Sequence, residues 1–458
     1  MTDIKDLLSG ASGHTEIRTQ TSRSRKAAMV GGSLVSNVSS KSSGTCARVY
    51  KNGVWGFASE SGDDPGAAER LFRSATENAE LLDSRKPKNK SPLVNAVPCE
   101  YIEKKKYRDV EQKVLVDFAR AVDAHIGETY PALTARSVSV MTHCIEKTLR
   151  TSEGTYAYQL FPRTYAIVFM STETADGDTV ELFDILGGGE GSFDEYYSDP
   201  ALLNEQIDGL YNELMRKKEG VFPDAGEKLC IIDSAIAGMI AHEAVGHTTE
   251  ADLVLAGSVA ATNLNKQVAS PLINLTDFAN TAFGEKACLP VYVDDEGTEC
   301  TDAVIIKDGV LVGYMNNLES ALHYGMTPCG NARAYASSDE PLIRMRNTAI
   351  HPGKDKLEDM IASVDDGYYL TRTQNGQADT TGEFMFGITM GYEIKGGKLG
   401  RALRDTTISG VAFNMLKTVD MLSDKVSWDF AGYCGKKQPM PVSMGGPAVR
   451  CKVNIGGR

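Results

Sequence analysis

The spacing of apolar residues in the first half of the chain predicts three helices. The first covers residues 64–82, because Asp64-Pro65 supplies a helix start with proline in the first turn. The second covers residues 107–126, where apolar residues recur three and four positions apart. The third follows Asp199-Pro200, where the apolar residues between 203 and 214 share one helical face.

Between the second and third helices, over residues 133–186, the pattern is typical of strands. Residues 137–140 alternate, residues 165–170 form a buried-strand run, and Asp176-Gly177 is a favoured hairpin turn. The elements predicted for the second half are a strand at 229–232, a helix capped by Asp233 or Ser234, hairpins at 304–312 (Asp308-Gly309) and 388–399 (Gly396-Gly397), and a helix within 410–422.

Charge, glycine and proline collect at residues 216–227, which we interpret as a link between two domains. The pattern on its two sides predicts an α+β protein. Residues 1–222 are expected to form a mixed α/β domain with an antiparallel sheet, and residues 223–458 a β-rich domain. The chain of 458 residues is long enough to bury a core in each.

The charge balance narrows the choice of partners. Against 48 Lys+Arg stand 61 Asp+Glu, a formal net charge of −13. Neither nucleic acid nor a membrane is an expected partner, because long basic runs and a transmembrane-length apolar run are both missing from the sequence. The first residues lack the apolar core of a secretory signal, and the nine cysteines are scattered and odd in number. These features predict a cytoplasmic protein.

The most informative segment for chemistry is residues 240–247, in which His242-Glu243 is followed by His247. This HExxxH pattern has one residue more between its histidines than the HExxH motif of zinc peptidases. On a regular α-helix the two rings would diverge by about 140°, since each residue turns roughly 100°. They converge only if the helix widens into a π-type turn or ends at Gly246. Converging imidazoles suit a divalent metal, and Glu243 could accept a proton from water.

A catalytic zinc needs a third protein ligand, for which the sequence offers several candidates. Cys434 is the most suggestive, because its glycine-bracketed loop lets backbone approach a site closely and Lys436 and Lys437 would favour a thiolate. The other cysteines fit small buried apolar positions. The further candidates are His323, His351, Glu250 and Asp252. Glu250 and Asp252 could instead orient a ligating imidazole.

Two other clusters of unusual composition are expected to carry no chemistry. Residues 187–191, GGGEG, lack the spacing of a nucleotide-binding loop, so a flexible loop or hinge is predicted. Asp294-Asp295-Glu296 lacks the alternating oxygen ligands of a calcium loop, so a solvated turn is predicted.

The second half of the chain resembles the TldD/PmbA family of zinc metallopeptidases, and specifically its catalytic TldD-type subunit. The resemblance begins with residues 242–252, HEAVGHTTEAD, and continues in the expected order to the chain's end. The segments that carry it further are DEGT (295–298), Asp308-Gly309, PLIRMRN (341–347), GQAD (376–379), Gly382, Phe384, Phe386 and CGK (434–436). In the first half only residues 48–59 and 187–191 resemble family segments.

The resemblance implies a zinc-dependent peptidase with a particular set of site residues. The metal ligands match His242, His247 and Cys434, and the catalytic glutamate matches Glu243. It also implies unfolded or extended peptides as substrates. Partnership would be a homodimer or a heterodimer with a non-catalytic TldE/PmbA-like subunit, the N-terminal domain contributing to the dimer and the substrate cleft. Glu243 would then be the general base toward water.

Two alternatives come from other classes of function. In the first, the chain is a peptide-binding subunit with a structural zinc that presents extended segments to a partner. A structural site is normally closed by four protein ligands and has no use for Glu243. In the second, the zinc site hydrolyses an amide that is not a peptide.

Overall fold

The computed structural model describes residues 4–11, 13–85, 93 and 96–457. The strands of the first half are β1 Thr15–Val30, β2 Ser33–Lys51, β3 Val54–Ser61, β4 Glu100–Ile102, β5 Ala135–Thr151, β6 Tyr156–Glu173 and β7 Thr179–Gly189. Its helices are α1 Ile4–Ser9, α2 Ala67–Arg85, α3 Gln112–Thr129, α4 Phe193–Tyr196 and α5 Asn204–Lys218, the last preceded by a 3-10 turn at Pro200–Leu203.

The seven strands form one sheet in the order β3-β2-β1-β5-β6, with β7 and the short β4 also paired to β6. Every pairing except β4–β6 is antiparallel. Apolar residues of α3 and α5 pack on this sheet, as their helical spacing predicts. The antiparallel sheet predicted for the first half is therefore present.

The second half is richer in strands. They are β8 Gly226–Ile232, β9 Leu275–Phe278, β10 Thr281–Ala282, β11 Glu285–Lys286, β12 Ala303–Lys307, β13 Val310–Leu311, β14 Ala332–Arg333, β15 Leu342–Ile343, β16 Asn347–Ile350, β17 Asp366–Ala378, β18 Glu383–Lys395, β19 Lys398–Ala402, β20 Thr406–Val411, β21 Met421–Leu422, β22 Ser427–Asp429, β23 Tyr433–Cys434, β24 Met440–Pro441, β25 Ser443–Gly446 and β26 Val449–Ile455. The helices are α6 Ser234–Met239, a π-helix at Ile240–Gly246, α7 Ala251–Leu255, α8 Leu318–Tyr324, α9 Leu357–Ala362 and α10 Ala412–Lys417, with 3-10 turns at His247–Thr249 and Val259–Thr262.

Two sheets of this half enclose the helix that carries the histidines. Strand β17 pairs with β8 on one side and β18 on the other, so the order β17-β8-β26-β20-β18 closes into a barrel. The second sheet has the order β13-β12-β9-β16-β25-β22. The π-helix Ile240–Gly246 contacts β17 and β18 of the barrel and β16 and β25 of the second sheet, and α6 before it contacts β17, β25 and β22. The predicted α+β class, with a β-rich second half, is confirmed, whereas the domain boundary at residues 222/223 stays a prediction.

Three local expectations are corrected. Helix α3 begins at Gln112 rather than at residue 107. The segment before it binds the chain around residue 192 instead, where the Ser192 hydroxyl accepts a hydrogen bond from the backbone N–H of Arg108. The glycines predicted as a hinge end strand β7 in a bulge, where a Cβ at Gly188 would lie 2.2 Å from the Thr164 carbonyl oxygen.

The third correction concerns Asp294-Asp295-Glu296, which is not a solvated turn. All three residues are buried, and Glu296 is fully so. Arg18 and Lys147, on two strands of the first sheet, lie 3.5 and 2.7 Å from Asp295. The segment therefore links the first sheet to the second half of the chain. Among the described residues, no helix is long and apolar enough to cross a membrane.

Candidate metal centre

The two histidines are brought together by a change of helix type. The Asp233 side chain accepts a hydrogen bond from the N–H of Ser234 at the start of α6. The helix then widens at Ile240–Gly246, and the N–H of His247 donates to the carbonyl of His242, five residues earlier. This π-type bond places positions i and i+5 on one face, as the spacing of the histidines requires.

Gly246 permits the packing of this turn through its lack of a side chain. Its φ of −55° is ordinary for any residue, so conformational freedom is not the reason for glycine here. A Cβ would instead lie 2.2 Å from the sulfur of Met345 and 3.0 Å from the Ala241 carbonyl oxygen. The π-helix can therefore lie directly against the buried Met345 only because residue 246 is glycine.

Cys434 completes a cluster of three potential ligands. One donor atom from each of His242, His247 and Cys434 lies within 4.8 Å of the others. The Cys434 sulfur is 3.3 Å from Nε2 of His247, and the two imidazole centroids are 5.2 Å apart. His242 and Cys434 are 1% and 2% exposed. The cluster joins a helix to a loop 187 residues further along the chain.

The electrostatics of the cluster favour an ionised sulfur. Burial would raise the pKa of the Cys434 thiol, but hydrogen bonds and charge from His242 and His247 lower it to about 3. Burial likewise lowers the pKa of His247, but its hydrogen bonds to Cys434 and Glu250 reverse this effect and raise the pKa to about 10. Without metal, these opposite shifts favour a thiolate beside a protonated imidazole.

This donor set fits a divalent transition metal such as zinc. Tetrahedral zinc places its nitrogen and sulfur ligands roughly 3.3–3.8 Å from one another, a spacing that the observed cluster approaches. The ligand must be thiolate and neutral imidazole, so metal binding would displace the proton that His247 shares with Cys434. Nδ1 of His242 is buried and has no hydrogen-bond partner among the residues described.

Glu243 lies beside the cluster without entering it. Its carboxylate oxygens are 3.6 Å from Nε2 of His247 and 3.9 Å from Nε2 of His242. Its side chain is 24% exposed, more than any of the three potential ligands. A carboxylate in this position is accessible to water and next to the potential metal position.

Glu250 and Asp252 have different neighbours. The Glu250 carboxylate accepts a hydrogen bond of 2.9 Å from Nδ1 of His247 and is fully buried, so it orients that ring. Asp252 instead binds the ammonium of Lys436 at 2.9 Å. Lys436 also lies 3.2 Å from Glu250. The expectation that Lys436 stabilises the Cys434 thiolate is therefore corrected. The two histidines stabilise the thiolate, and Lys436 neutralises the carboxylates of Glu250 and Asp252.

The other candidate histidines lie elsewhere. His323 is exposed on α8 and packs edge-on against Tyr324. His351 makes a hydrogen bond of 2.9 Å with the hydroxyl of Thr276 and packs against Phe278. Neither residue belongs to the one His/Cys/carboxylate cluster found within the described ranges.

Sequence reasoning missed two buried arginines that bind the loop of Cys434. Arg163, on β6, donates to the carbonyls of Phe430 and Gly432. Arg344 donates to the carbonyl of Cys434 itself. A single arginine within an apolar strand gives no local signal for Arg163, whereas Arg344 lies in the PLIRMRN segment that carries the resemblance.

Comparisons with family models and with individual proteins both relate this chain to PmbA/TldD-type metallopeptidases. The model of the "PmbA/TldA metallopeptidase C-terminal domain" matches residues 226–457, about half the chain, and that of "PmbA/TldA metallopeptidase domain 1" matches residues 15–79. A metalloprotease of Methanothermobacter thermautotrophicus is 29% identical over 98% of this chain and 96% of its own. A zinc metalloprotease TldD homolog of Saccharolobus solfataricus is 33% identical over 62% of each chain.

The same relationship holds at the level of the fold. The crystal structure of TldE from Thermococcus kodakarensis superposes with a TM-score of 0.78 over 97% of both chains, at 20% sequence identity. Since the matched family model covers the half that contains the histidine helix and the Cys434 loop, the sequence and fold agree, and this chain belongs to the PmbA/TldD family of metallopeptidases.

Proposed function

We propose that this protein is a zinc-dependent peptidase that hydrolyses peptide bonds in unfolded or extended peptides. The observation that carries the proposal is the convergence of His242, His247 and Cys434 beside the accessible carboxylate of Glu243. Relatives named metalloprotease and zinc metalloprotease support both the reaction class and the metal.

The donor set favours a catalytic rather than a structural metal. Structural zinc sites are usually closed by four protein ligands, whereas catalytic sites have three and leave a position for water or substrate. The cluster found in the described part of the chain has three members. Glu243 lies outside it, 3.6 Å from Nε2 of His247 and 3.9 Å from Nε2 of His242, and its partial exposure suits proton transfer with water better than closing the metal site as a fourth ligand.

The proposed chemistry divides between the metal and Glu243. Zinc supplies Lewis acidity, which polarises a carbonyl and lowers the pKa of water. Glu243 takes the proton of the attacking water as the general base and then delivers it to the departing amine nitrogen. Glu250 keeps Nε2 of His247 directed toward Cys434 by accepting the hydrogen bond from Nδ1.

Extended substrates are supported by the surroundings of the site. Strand β22, five residues before Cys434, is the last strand of its sheet and pairs only with β25 within the described residues. A cavity of about 470 Å³ lies along it, lined by Trp428 and Asp429 of β22 and by Met239 at the end of α6. A free strand edge can bind an extended peptide through main-chain hydrogen bonds, which tolerate many side chains.

The direct test of the chemistry is the variant Glu243→Ala. We expect it to keep zinc and to lose cleavage of an unfolded protein such as casein by a factor of about 10²–10⁴, because general-base catalysis contributes that much. The matched control is Glu358→Ala, which changes an exposed glutamate on α9. Cleavage at the parental rate by zinc-loaded Glu243→Ala would exclude Glu243 as the base.

A further inference from the structure

The loop that carries Cys434 is bound at every second carbonyl by an arginine. Arg163 Nη1 donates to the carbonyls of Phe430 and Gly432 at 2.9 and 3.2 Å. Arg344 binds the next three alternate carbonyls of the loop. Its hydrogen bonds go to the carbonyls of Cys434 at 2.5 Å, Lys436 at 2.8 Å and Gln438 at 2.9 Å. We call these two residues the arginine clamp.

Arg163 reaches the loop from the first sheet. It lies on β6, 267 residues from Phe430 in sequence, and is 2% exposed. Its guanidinium carbon is 4.3 Å from the centre of the Tyr433 ring, the residue just before Cys434. Nε and Nη2 are buried without a hydrogen-bond partner among the described residues. The hydrogen bonds that compensate the burial of this cation are therefore those to the loop.

Arg344 reaches the loop from the second half of the chain. It directly follows β15 and is fully buried. Its own N–H donates to the carbonyl of Asn331, which fixes its backbone, while its side chain donates to the three loop carbonyls. Nε has no partner within the described part of the chain. Both buried cations thus direct their hydrogen bonds to the same nine-residue loop, one from each half of the protein.

The loop has little structure of its own to hold the cysteine in place. Its regular part is the two-residue pairing of β23 with β24. Buried carbonyl groups need donors, and a planar guanidinium provides several at fixed angles. The clamp supplies donors to five carbonyls of the loop, and the side chains of Lys436 and Gln438 add contacts to Asp252 and to the Glu340 carbonyl. In this loop conformation the Cys434 sulfur lies 3.3 Å from Nε2 of His247.

We propose that Arg163 and Arg344 are positioning residues of the metal centre. They hold the Cys434 loop in the geometry that ligates the metal, and Arg163 makes this geometry depend on the docking of the first sheet. This inference rests on the proposed function, because it requires that Cys434 is a metal ligand. Neither arginine is assigned contact with substrate.

The test compares Arg163→Met with Arg136→Met in the full chain loaded with cobalt(II). Arg136 is the matched control: it lies on β5 of the same sheet, but its guanidinium binds Asp123. Two properties are measured, the thiolate-to-cobalt charge-transfer absorption and the rate at which cobalt passes to a chelator. We expect Arg163→Met to weaken the absorption and to release cobalt about 10- to 100-fold faster, the usual effect of losing a residue that orients a ligand. Arg136→Met should match the parent in both.

Arg163→Lys and Arg344→Met keep the inference falsifiable. Lysine can donate to one loop carbonyl at a time, so Arg163→Lys should release cobalt at a rate between those of the parent and Arg163→Met. If Arg163→Met does not fold, Arg163→Lys serves as the test. Folded variants at both positions with the parental spectrum, and release within about twofold of the parent, would overturn the clamp. A parent protein that binds neither cobalt nor zinc would instead overturn the proposed function, on which this inference rests.

Discussion

The two histidines of the centre differ in how they are supported. Nδ1 of His247 is bound to the buried carboxylate of Glu250 at 2.9 Å, which fixes the ring orientation. Nδ1 of His242 has no such partner among the residues described. Glu250 is in turn neutralised by Lys436 at 3.2 Å. The position of one proposed ligand is therefore built into the protein by a chain of charged contacts, and that of the other by packing.

This asymmetry predicts the effect of Glu250→Gln. The variant removes the charge opposite His247 and leaves Lys436 with one carboxylate fewer, so we expect zinc affinity to fall about 10- to 100-fold. The measurement is a competition titration against a chromophoric chelator. Asp252→Asn is the control, because Asp252 contacts Lys436 but neither imidazole. Equal losses in both variants would mean that Glu250 acts through Lys436 and not through the ring.

At the residue scale, the sequence predicts the local part of the centre better than the distant part. His242, Glu243 and His247 are adjacent in the chain, so their spacing alone indicates a shared face. Cys434 is one of nine cysteines, and its contact with His247 spans 187 residues. Loop composition suggested it, and the family resemblance singled it out. Arg163 lies beside the Cys434 loop because of the sheet topology, which no local sequence pattern reveals.

At the element scale, the π-helix is the feature on which the site depends. Its extra residue per turn aligns His242 with His247, and Gly246 lets it lie against Met345. A normal α-helical turn would separate the rings by about 140°. The element that gives the site its geometry is thus also one that tolerates little added volume.

We therefore expect Gly246→Ala to lower the free energy of unfolding by about 1–3 kcal/mol, because the added methyl overpacks Met345 and the Ala241 carbonyl. Denaturant unfolding of the metal-free protein measures this. Gly209→Ala is the control: an alanine there meets no atom within 4 Å and should raise stability by about 0.5–1 kcal/mol. A Gly246→Ala variant as stable as the parent would show that the π-helix can move away from Met345.

Elements with a strong local signal were predicted well. The hairpins at Asp176-Gly177, Asp308-Gly309 and Gly396-Gly397 are present, as are the helices after Asp64-Pro65 and Asp233. Strand β1 was not predicted, because its sequence is mostly polar. For the serine-rich and largely exposed residues 33–43 of β2, composition left a solvated loop and an edge strand equally open. Pairing with β1, rather than an apolar pattern, makes that segment a strand.

At the scale of the whole molecule, buried charge joins the two halves. The carboxylate of Asp295 lies between Lys147 at 2.7 Å and Arg18 at 3.5 Å, both from the first sheet. Burial raises the pKa of Asp295, but Lys147 and Arg18 outweigh it and hold this pKa below its usual value. Neighbouring Glu296 accepts a hydrogen bond of 2.5 Å from Arg48 of the same sheet. These contacts explain why Asp295 and Glu296 are buried rather than solvated, whereas the buried Asp294 accepts hydrogen bonds from the backbone N–H groups of Glu296, Thr298 and Ala332.

Asp295→Asn is expected to destabilise the protein by about 3–5 kcal/mol, since it leaves two buried cations without their carboxylate. Denaturant unfolding of the metal-free protein is the measurement. The control is Asp366→Asn, whose exposed pair with Lys395 should contribute nothing measurable. A small effect of Asp295→Asn would indicate that Arg18 and Lys147 find other partners and that the two halves are held by apolar packing.

The sequence could not predict that residues 294–296 are buried. A run of acidic residues stays in solvent unless the fold brings cations from distant parts of the chain to pair with it. Arg18 and Lys147 are separated from Asp295 by more than a hundred residues, and only the folded sheet brings them together. The arginine clamp depends on the same docking, since Arg163 belongs to the same sheet as Arg18 and Lys147. Docking of the first sheet and the geometry of the metal centre are thus connected.

The central claim is that His242, His247 and Cys434 bind zinc. Its most direct test is the zinc content per chain, by elemental mass spectrometry, of the purified parent and of Cys434→Ser. The account predicts close to one zinc in the parent and a clear loss in the variant, because serine replaces the thiolate with a poor ligand. A parent without zinc after reconstitution, or a variant that retains the parental content, would contradict it.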